Sequence, residues 1–332
     1  MRVGISGFGR IGRAFLRAAF ERGLVGKDIE IAQINNRSDQ FVNAHLFKYD
    51  SVMGPFPGTA KATGKSIIID GYEIPWTRET DPSRIQWGAH NVDVVIESTG
   101  IFKDAADAAK HVDAGAKRVL ISAPAKGCQS IVPGVNMDGA ERNAKVFSLA
   151  SCTTNCLAPV LKVLVSSFGV KRGYMTTVHA YTNDQNVVDG SHKDLRRARA
   201  AAVSIIPTTT GAAKAIGEVI PEMKGKMDGV ALRVPVPDGS LVDLSVELER
   251  DATKDDVNAA LKAAADGPMK GVLQYTEDPI VSCDVIGNPH SSIVDSQLTS
   301  ASGNFVKVFS WYDNEWGYSN RLIDFALHMK EW

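Results

Sequence analysis

The stretch VGISGFGRIGRAFLRAAFERG, residues 3–23, decides the fold. Val3–Ser6 is a short apolar run that reads as a buried strand. It leads straight into Gly7, Gly9 and Gly12, a G-x-G-x-x-G spacing. Ala14, Phe15, Ala18 and Ala19 then fall on one helical face, and Gly23 stops the helix. Each glycine has a physical task in that setting. Gly7 permits the tight turn, Gly9 lets a backbone come close to a pyrophosphate, and Gly12 lets the helix pack on its strand. The helix N-terminus offers N–H groups to the anion. A strand before the motif and a helix after it separate a dinucleotide loop from an ordinary glycine-rich turn.

Outward from this loop, IEIAQIN reads as a second strand, and NVDVVIESTG (91–100) and KRVLISAPA (117–125) as two more. Between those two, KDAADAAKHVDAG reads as a helix closed by Gly115. Strands alternating with helices predict an α/β chain with a parallel, doubly wound Rossmann sheet over residues 1–150. The pattern changes near residue 150. SCTTNCLAPVLKVLVSSFG reads as a helix with Leu157, Val160, Leu161, Leu164 and Val165 on one side. GVALRVPVPDGSLVDLSVELE (229–249) holds two alternating runs around Asp238-Gly239, an antiparallel signal, and Thr253 is placed to cap a further helix. The expectation is a second, α+β catalytic domain with a mixed or antiparallel sheet over 151–316. A final helix, residues 319–330 within the segment 317–332, is expected to pack back on the first domain.

The 332 residues suffice for two domains, and a net charge of -1 excludes a general nucleic-acid binder. No apolar run reaches the length of a membrane span, so no membrane association is expected. Four cysteines make no disulfide framework, and the N-terminal MRVGIS lacks the apolar stretch of a signal peptide. Both readings point to a cytoplasmic protein.

In QINNRS (33–38), Asn36 stands where an NAD site carries an acid for the ribose hydroxyls. A carboxylate there would repel a 2′-phosphate; Asn36 removes that repulsion, and Arg37 offers a forked donor to a phosphate. The plainer reading keeps Asn36 on the ribose and Arg37 in water. The pair favours NADP over NAD.

ASCTTNC places Cys152 at a helix start with Ser151 as N-cap, where a thiol pKa is expected to fall. Cys156, Cys128 and Cys283 read as structural, and no metal-ligating cluster accompanies them. His179, at the end of an alternating strand, is the best-placed base among the seven histidines. The basic run SHKDLRRARAAA contains Arg197, and IPTTTGAAK places Thr210 and Gly211 before a helix, a second anion seat. Arg233 lies inside an apolar strand and needs an anionic partner, either a bound phosphate or a carboxylate.

Together GISGFGRIGR, ESTGIF, ASCTTNCLAPV, MTTVHAYTNDQ, IPTTTGAAKA and SWYDNEWGYSNR resemble the phosphorylating glyceraldehyde-3-phosphate dehydrogenases, and the similarity covers nearly the whole chain. The resemblance implies that Cys152 attacks the aldehyde of glyceraldehyde 3-phosphate, with His179 as base. It implies substrate-phosphate contacts at Thr182, Arg197 and Arg233, and inorganic-phosphate contacts at Ser151, Thr153, Thr210 and Gly211. Pyrophosphate contacts fall to Arg10 and Ile11, adenosine-side contacts to Arg78 and Ser122, the nicotinamide amide to Asn314 and the ring to Tyr318. It implies a homotetramer with loop 183–203 near a neighbour's cofactor. Two departures concern the cofactor: Asn36 replaces the usual Asp, and Gly190-Ser191 replaces the Leu-Pro of many bacterial NAD enzymes. Both lean toward NADP. Erythrose-4-phosphate dehydrogenase and a non-catalytic nucleotide-binding regulator are the rival readings; the intact PTTTG and Arg233 weigh against the first, and the presence of Cys152 and His179 against the second.

Overall fold

The computed structural model describes all 332 residues, and the chain divides into two compact units. The first comprises Met1–Ile131, Asp138–Ala150 and Ser319–Trp332, the second Val132–Met137 and Ser151–Tyr318.

The first unit contains β1 (Arg2–Ser6), α1 (Arg10–Glu21), β2 (Glu30–Asn35), α2 (Gln40–Lys48), β3 (Ala60–Ala62), β4 (Ser66–Ile69), β5 (Tyr72–Thr77), β6 (Val94–Glu97), α3 (Ala105–Ala108), α4 (Lys110–Asp113), β7 (Arg118–Ile121), β8 (Gln129–Ser130) and β9 (Val146–Ser148). The sheet order is β3-β4-β5-β2-β1-β6-β7-β9-β8. Every pairing from β5 to β8 is parallel, as the alternation of strands and helices predicts. The central strands are covered on both faces, which explains why Val3, Ile5 and Val94–Ile96 form unbroken apolar runs. On α1, Phe15 and Leu16 are fully buried, each contributing about 2 kcal/mol of apolar burial. The connection leaves β1 toward β2 on one side and returns to β6 on the other. That makes the carboxyl end of β1 a topological switch point, where ligands of such sheets bind.

Two details depart from the sequence reading. The helix expected across 103–115 is two short pieces meeting at Ala109, although Gly115 closes it at φ 100°. The antiparallel β3–β4–β5 edge was not read at all, although Asp70-Gly71, at φ 47° and 82°, is the two-residue hairpin turn that its flanking alternation announces.

The second unit contains α5 (Cys152–Phe168), β10 (Val170–Ala180), β11 (Ile206–Thr209), α6 (Ala212–Val219), β12 (Met227–Val234), β13 (Ser240–Leu248), α7 (Lys254–Asp266), β14 (Leu273–Thr276), β15 (Ser292–Ser302), β16 (Phe305–Tyr312) and the start of α8 (Trp316–Met329). Its mixed sheet runs β11-β12-β10-β13-β16-β15-β14. The runs around Asp238-Gly239 do become β12 and β13, but they are not a hairpin: β10 lies between them, parallel to β12 and antiparallel to β13. Pro235 and Pro237 lack the N–H groups a tight paired turn would use, so the connection spans a strand instead. The β13 burial alternates perfectly, one face under α5 and the other open. α7 begins on the capping box of Thr253 and Asp256. α8 starts three residues before the expected Ser319, because the Asp313 carboxylate accepts from the N–H groups of Glu315 (2.8 Å) and Trp316 (2.6 Å).

Within the first unit, the end of α8 packs by Phe325 edge-on against Phe147, with ring centroids 5.3 Å apart, and Arg22 pairs with Asp324 at 2.9 Å. No helix is long and apolar enough to cross a membrane.

Candidate active site

In the first unit, Gly7, Asn36, Arg78 and Ser122 follow directly on β1, β2, β5 and β7. Those strands are parallel, so the four residues share one sheet edge at the switch point. The three glycines of the loop differ in what surrounds them. A Cβ on Gly7, at φ 90°, would lie 2.6 Å from the Thr99 nitrogen, and one on Gly12 would lie 2.3 Å from the Gly7 carbonyl oxygen. A Cβ on Gly9 would meet no protein atom within 4 Å. Two of the glycines therefore serve the protein's own packing, and the third faces open space where a ligand backbone would approach. α1 has no side-chain cap and no acidic residue in its first turn, which suits a pyrophosphate at its positive end.

Asn36 accepts from the Phe8 N–H at 3.2 Å and donates to Ser38 Oγ at 2.6 Å, so it braces the glycine loop. The Arg37 side chain is exposed, and its carbonyl accepts from Arg78 Nε at 3.1 Å. Arg10 turns its guanidinium to Asp50 at 3.0 and 3.2 Å, and Ile11 is half-buried beside it. Ser122 donates its N–H to the Glu97 carbonyl at 2.9 Å.

In the second unit, strand alternation and register bring together residues far apart in the chain. His179 on β10 is directly opposite Arg233 on β12, and Ser240 on β13 is opposite Tyr312 on β16. All four point to the sheet face that carries α5, at one end of the sheet. Ser151 caps α5 by accepting from the Thr154 N–H at 3.0 Å, a contribution of about 1 kcal/mol. Just before it, Ala150 holds φ 53°, a left-handed conformation that costs a residue with a Cβ on the order of 1 kcal/mol. Cys152 opens the helix, with its Sγ 3.5 Å from His179 Nε2.

The tautomer of His179 follows from its other nitrogen. Nδ1 lies 2.7 Å from the Ala180 carbonyl, which can only accept, so Nδ1 carries the hydrogen and Nε2 turns a lone pair to the thiol. Arg233 also approaches Nδ1 at 3.0 Å, but it has the same carbonyl as acceptor at 3.0 Å, and a carbonyl oxygen takes two donors. The Tyr312 hydroxyl bridges Thr153 and Thr177, each at 2.9 Å, and its ring meets His179 edge-on at 5.9 Å.

Burial, rather than the helix terminus, dominates the titration of this pair. It pushes the Cys152 thiol up to about 11, against the pull of Arg233 and Thr153, and the His179 imidazole down to about 3, helped by the charge of Arg233. The low thiol pKa expected from the sequence is thus overturned for the cysteine on its own. Moving the proton 3.5 Å from Sγ to Nε2 leaves the pair's net charge unchanged, so the two groups act as one acid–base unit.

Arg197 donates to Thr208 at 2.9 Å and to the Thr209 carbonyl at 3.2 Å, and pairs with Asp184. Its charge is felt at both His179 and Arg233. Arg233 keeps a buried Nε with no hydrogen-bond partner. Two guanidiniums in electrostatic reach of each other, one with an unused donor, form a setting that an anion would relieve. Thr182 is tied to Gln185 at 2.9 Å, and Thr210 Oγ1, just before α6, accepts from the Ala212 N–H at 3.2 Å, with Gly211 exposed at the helix start. Thr153 is buried against Tyr312. Gly190 and Ser191 are exposed on the loop between β10 and β11, where Gly190 donates to Ala198 at 2.9 Å. Asn314 follows β16, and Tyr318 is buried in the first turn of α8, within electrostatic reach of Cys152.

Sequence reasoning assigned no role to Tyr312, Ser240, Asp238 or Asp313. The inward phase of β16 announced Tyr312; nothing local announced the others. Asp238 and Asp313 are both about 1% exposed. Burial pushes the Asp313 carboxyl up, and the backbone N–H groups of Trp316, Gly287 and Glu315, which it accepts from, oppose that by favouring its charged form. Burial first, then the neighbouring charge of Asp313, pushes the Asp238 carboxyl up to about 9. A proton held in the fold but released by the unfolded chain near its ordinary value of 3.8 makes stability fall as pH rises across that interval. Asp238→Asn should therefore flatten the decline in melting temperature between about pH 5 and pH 9, gaining a few degrees on wild type at the alkaline end. Thermal denaturation of both proteins across that range checks it; parallel curves would place the proton elsewhere.

The parallel sheet with its glycine loop, joined to a unit built on a mixed sheet, defines a two-unit oxidoreductase of the NAD-binding class. The family description "Glyceraldehyde 3-phosphate dehydrogenase, NAD binding domain" matches residues 1–105, and "Glyceraldehyde 3-phosphate dehydrogenase, C-terminal domain" matches 151–314. The chain is 56% identical over 332 residues to glyceraldehyde-3-phosphate dehydrogenase 2 of Streptomyces avermitilis, covering 98% of each chain. It is 57% identical over 331 residues to the glyceraldehyde-3-phosphate dehydrogenase of Streptomyces coelicolor, again with 98% of each covered. With that of Mycolicibacterium smegmatis the identity is 55% over 329 residues, covering 98% of this chain and 97% of the relative. The chain belongs to the glyceraldehyde-3-phosphate dehydrogenase family.

Proposed function

We propose that this enzyme oxidises glyceraldehyde 3-phosphate with inorganic phosphate to the acyl phosphate through a thioester on Cys152. The observation that carries this reading is the Cys152–His179 pair at 3.5 Å beside two arginines with an unused buried donor. Cys152 Sγ bonds to the aldehyde carbon, its proton passing to His179 Nε2 and on to the carbonyl oxygen. The bound nicotinamide supplies the hydride acceptor. His179 then removes the hydroxyl proton as the carbon is oxidised to the thioester. A phosphate oxygen attacks that carbon, the C–S bond breaks, and the thiol regains a proton. Thr182, Arg197 and Arg233 are assigned to the substrate phosphate, and Ser151, Thr153, Thr210 and Gly211 to the attacking phosphate. Arg10, Ile11, Arg78, Ser122, Asn314 and Tyr318 are assigned to the cofactor, residues 1–150 to the dinucleotide domain and 151–316 to the catalytic domain.

NADP use, alone or beside NAD, is part of this proposal. It is supported by an exposed Arg37 with no ion-pair partner and by a carboxamide rather than a carboxylate at position 36. A cytoplasmic homotetramer is the assembly it implies. The open face of the second unit's sheet supports association, since it exposes Tyr174 (70%), Val230 (51%) and Phe305 (55%), apolar groups that a second copy would cover.

Initial rates with glyceraldehyde 3-phosphate and NAD or NADP, each with and without phosphate, test the reading. Turnover should require phosphate, and NADP should be accepted. Asn36→Asp should lower kcat/KM for NADP relative to NAD by about tenfold or more, the scale of a carboxylate set against a phosphate. An unchanged ratio would remove Asn36 from cofactor choice, and turnover without phosphate would favour the erythrose-4-phosphate reading.

A further inference from the structure

A chain of hydrogen bonds runs from the proposed base to the proposed nicotinamide contact through a residue with no role so far, Ser240. His179 Nδ1 donates to the Ala180 carbonyl at 2.7 Å. The Ala180 N–H donates to Ser240 Oγ at 3.1 Å. Ser240 Oγ lies 2.6 Å from the Asn314 side chain. A backbone N–H can only donate, so the hydroxyl hydrogen of Ser240 is left for Asn314. A separation of 2.6 Å is ordinary for O–H···O and short for N–H···O. With Ser240 1% exposed, the reverse arrangement would also bury its hydroxyl hydrogen without an acceptor. The atom facing Ser240 is therefore Oδ1, and the Asn314 NH2 points away from it, with no acceptor inside the chain. The backbone on either side of Asn314 is pinned by the Asp313 carboxylate, through Gly287 at 2.7 Å, Glu315 at 2.8 Å and Trp316 at 2.6 Å. The turn is thus rigid, and a single hydroxyl chooses which end of the amide faces outward.

We propose that Ser240 is a positioning residue that fixes the Asn314 amide with its NH2 presented to the carbonyl oxygen of the nicotinamide carboxamide. This rests on the reading of Asn314 as the nicotinamide contact. The orientation selects a ligand group that accepts, and Ser240 acts only through Asn314.

The test compares dissociation constants for NAD and for an analogue whose pyridine ring lacks the carboxamide, measured by fluorescence titration of the full chain without substrate. Ser240→Ala should weaken NAD about fivefold, the scale of one hydrogen bond released, and leave the analogue unchanged. In an Asn314→Ala background, Ser240→Ala should change nothing further. Asn314→Asp, which keeps the acceptor for Ser240 but loses the donor, should abolish the preference for NAD at an unchanged melting temperature. Equal weakening of both ligands by Ser240→Ala, or an effect that persists without Asn314, would overturn the proposal. If Asn314→Ala leaves the preference for NAD intact, the reading of Asn314 fails and the proposal falls with it. If Asn314→Ala removes the preference while Ser240→Ala does not, only the role of Ser240 fails.

Discussion

Replacing Cys152 with serine is expected to lower kcat/KM for aldehyde oxidation by roughly 10⁴-fold or more, with cofactor affinity unchanged, because nucleophile and base act as a unit. The hydroxyl is a far weaker acid than the thiol, and burial already pushes the Cys152 thiol up to about 11. A neutral imidazole 3.5 Å away has little driving force to ionise a serine in the same pocket. The glycine loop belongs to the other unit and keeps its own packing, so cofactor binding isolates the chemical defect. Steady-state kinetics with a parallel binding titration checks this. Activity within tenfold of wild type would remove the thioester from the mechanism.

His179→Asn should slow alkylation of Cys152 by iodoacetamide at pH 7 by about 10²- to 10⁴-fold, and oxidation of the aldehyde by a similar factor. Arg233 and Thr153 are what oppose the burial of the thiol, and without the imidazole no neighbouring base is left to take its proton. A group whose pKa is held up near 11 is protonated at neutrality. The variant's alkylation rate should therefore climb about tenfold per pH unit toward that value, whereas the wild type, whose imidazole can take the proton within the pair, should depend less on pH. Alkylation of Cys156, fully buried and pushed up to about 12, is not expected to contribute. A variant alkylated as fast as wild type at pH 7 would mean that the charge of Arg233 and the helix N-terminus suffice to ionise the thiol.

Local features of both units were legible in the order of residues. The three glycines, the apolar strand before them and the helical face after them determined a parallel nucleotide-type sheet, because each is a constraint between neighbours in the chain. Ser151 as cap of α5 and Thr253 as cap of α7 were legible for the same reason, as a cap satisfies N–H groups two or three residues on. The sequence placed His179 at the end of an alternating strand and Arg233 inside an apolar one. It did not tell that the two are neighbours, since their pairing is a register between strands, 54 residues apart. The same limit hid that β10 lies between the two runs around Asp238-Gly239, which the sequence showed only as an antiparallel signal.

The sequence alone thus determined the class of fold, the phosphate loop and the residue types available for chemistry. Tertiary structure decided the rest: that Cys152 meets His179, that burial sets their titration against the pull of the helix, that Asp238 keeps a proton beside Asp313, and that Ser240 reaches Asn314. These depend on distance and desolvation, which belong to the packed chain. An amino acid carries its side chain's chemistry wherever it stands, but its pKa and its partners come from what folding places around it.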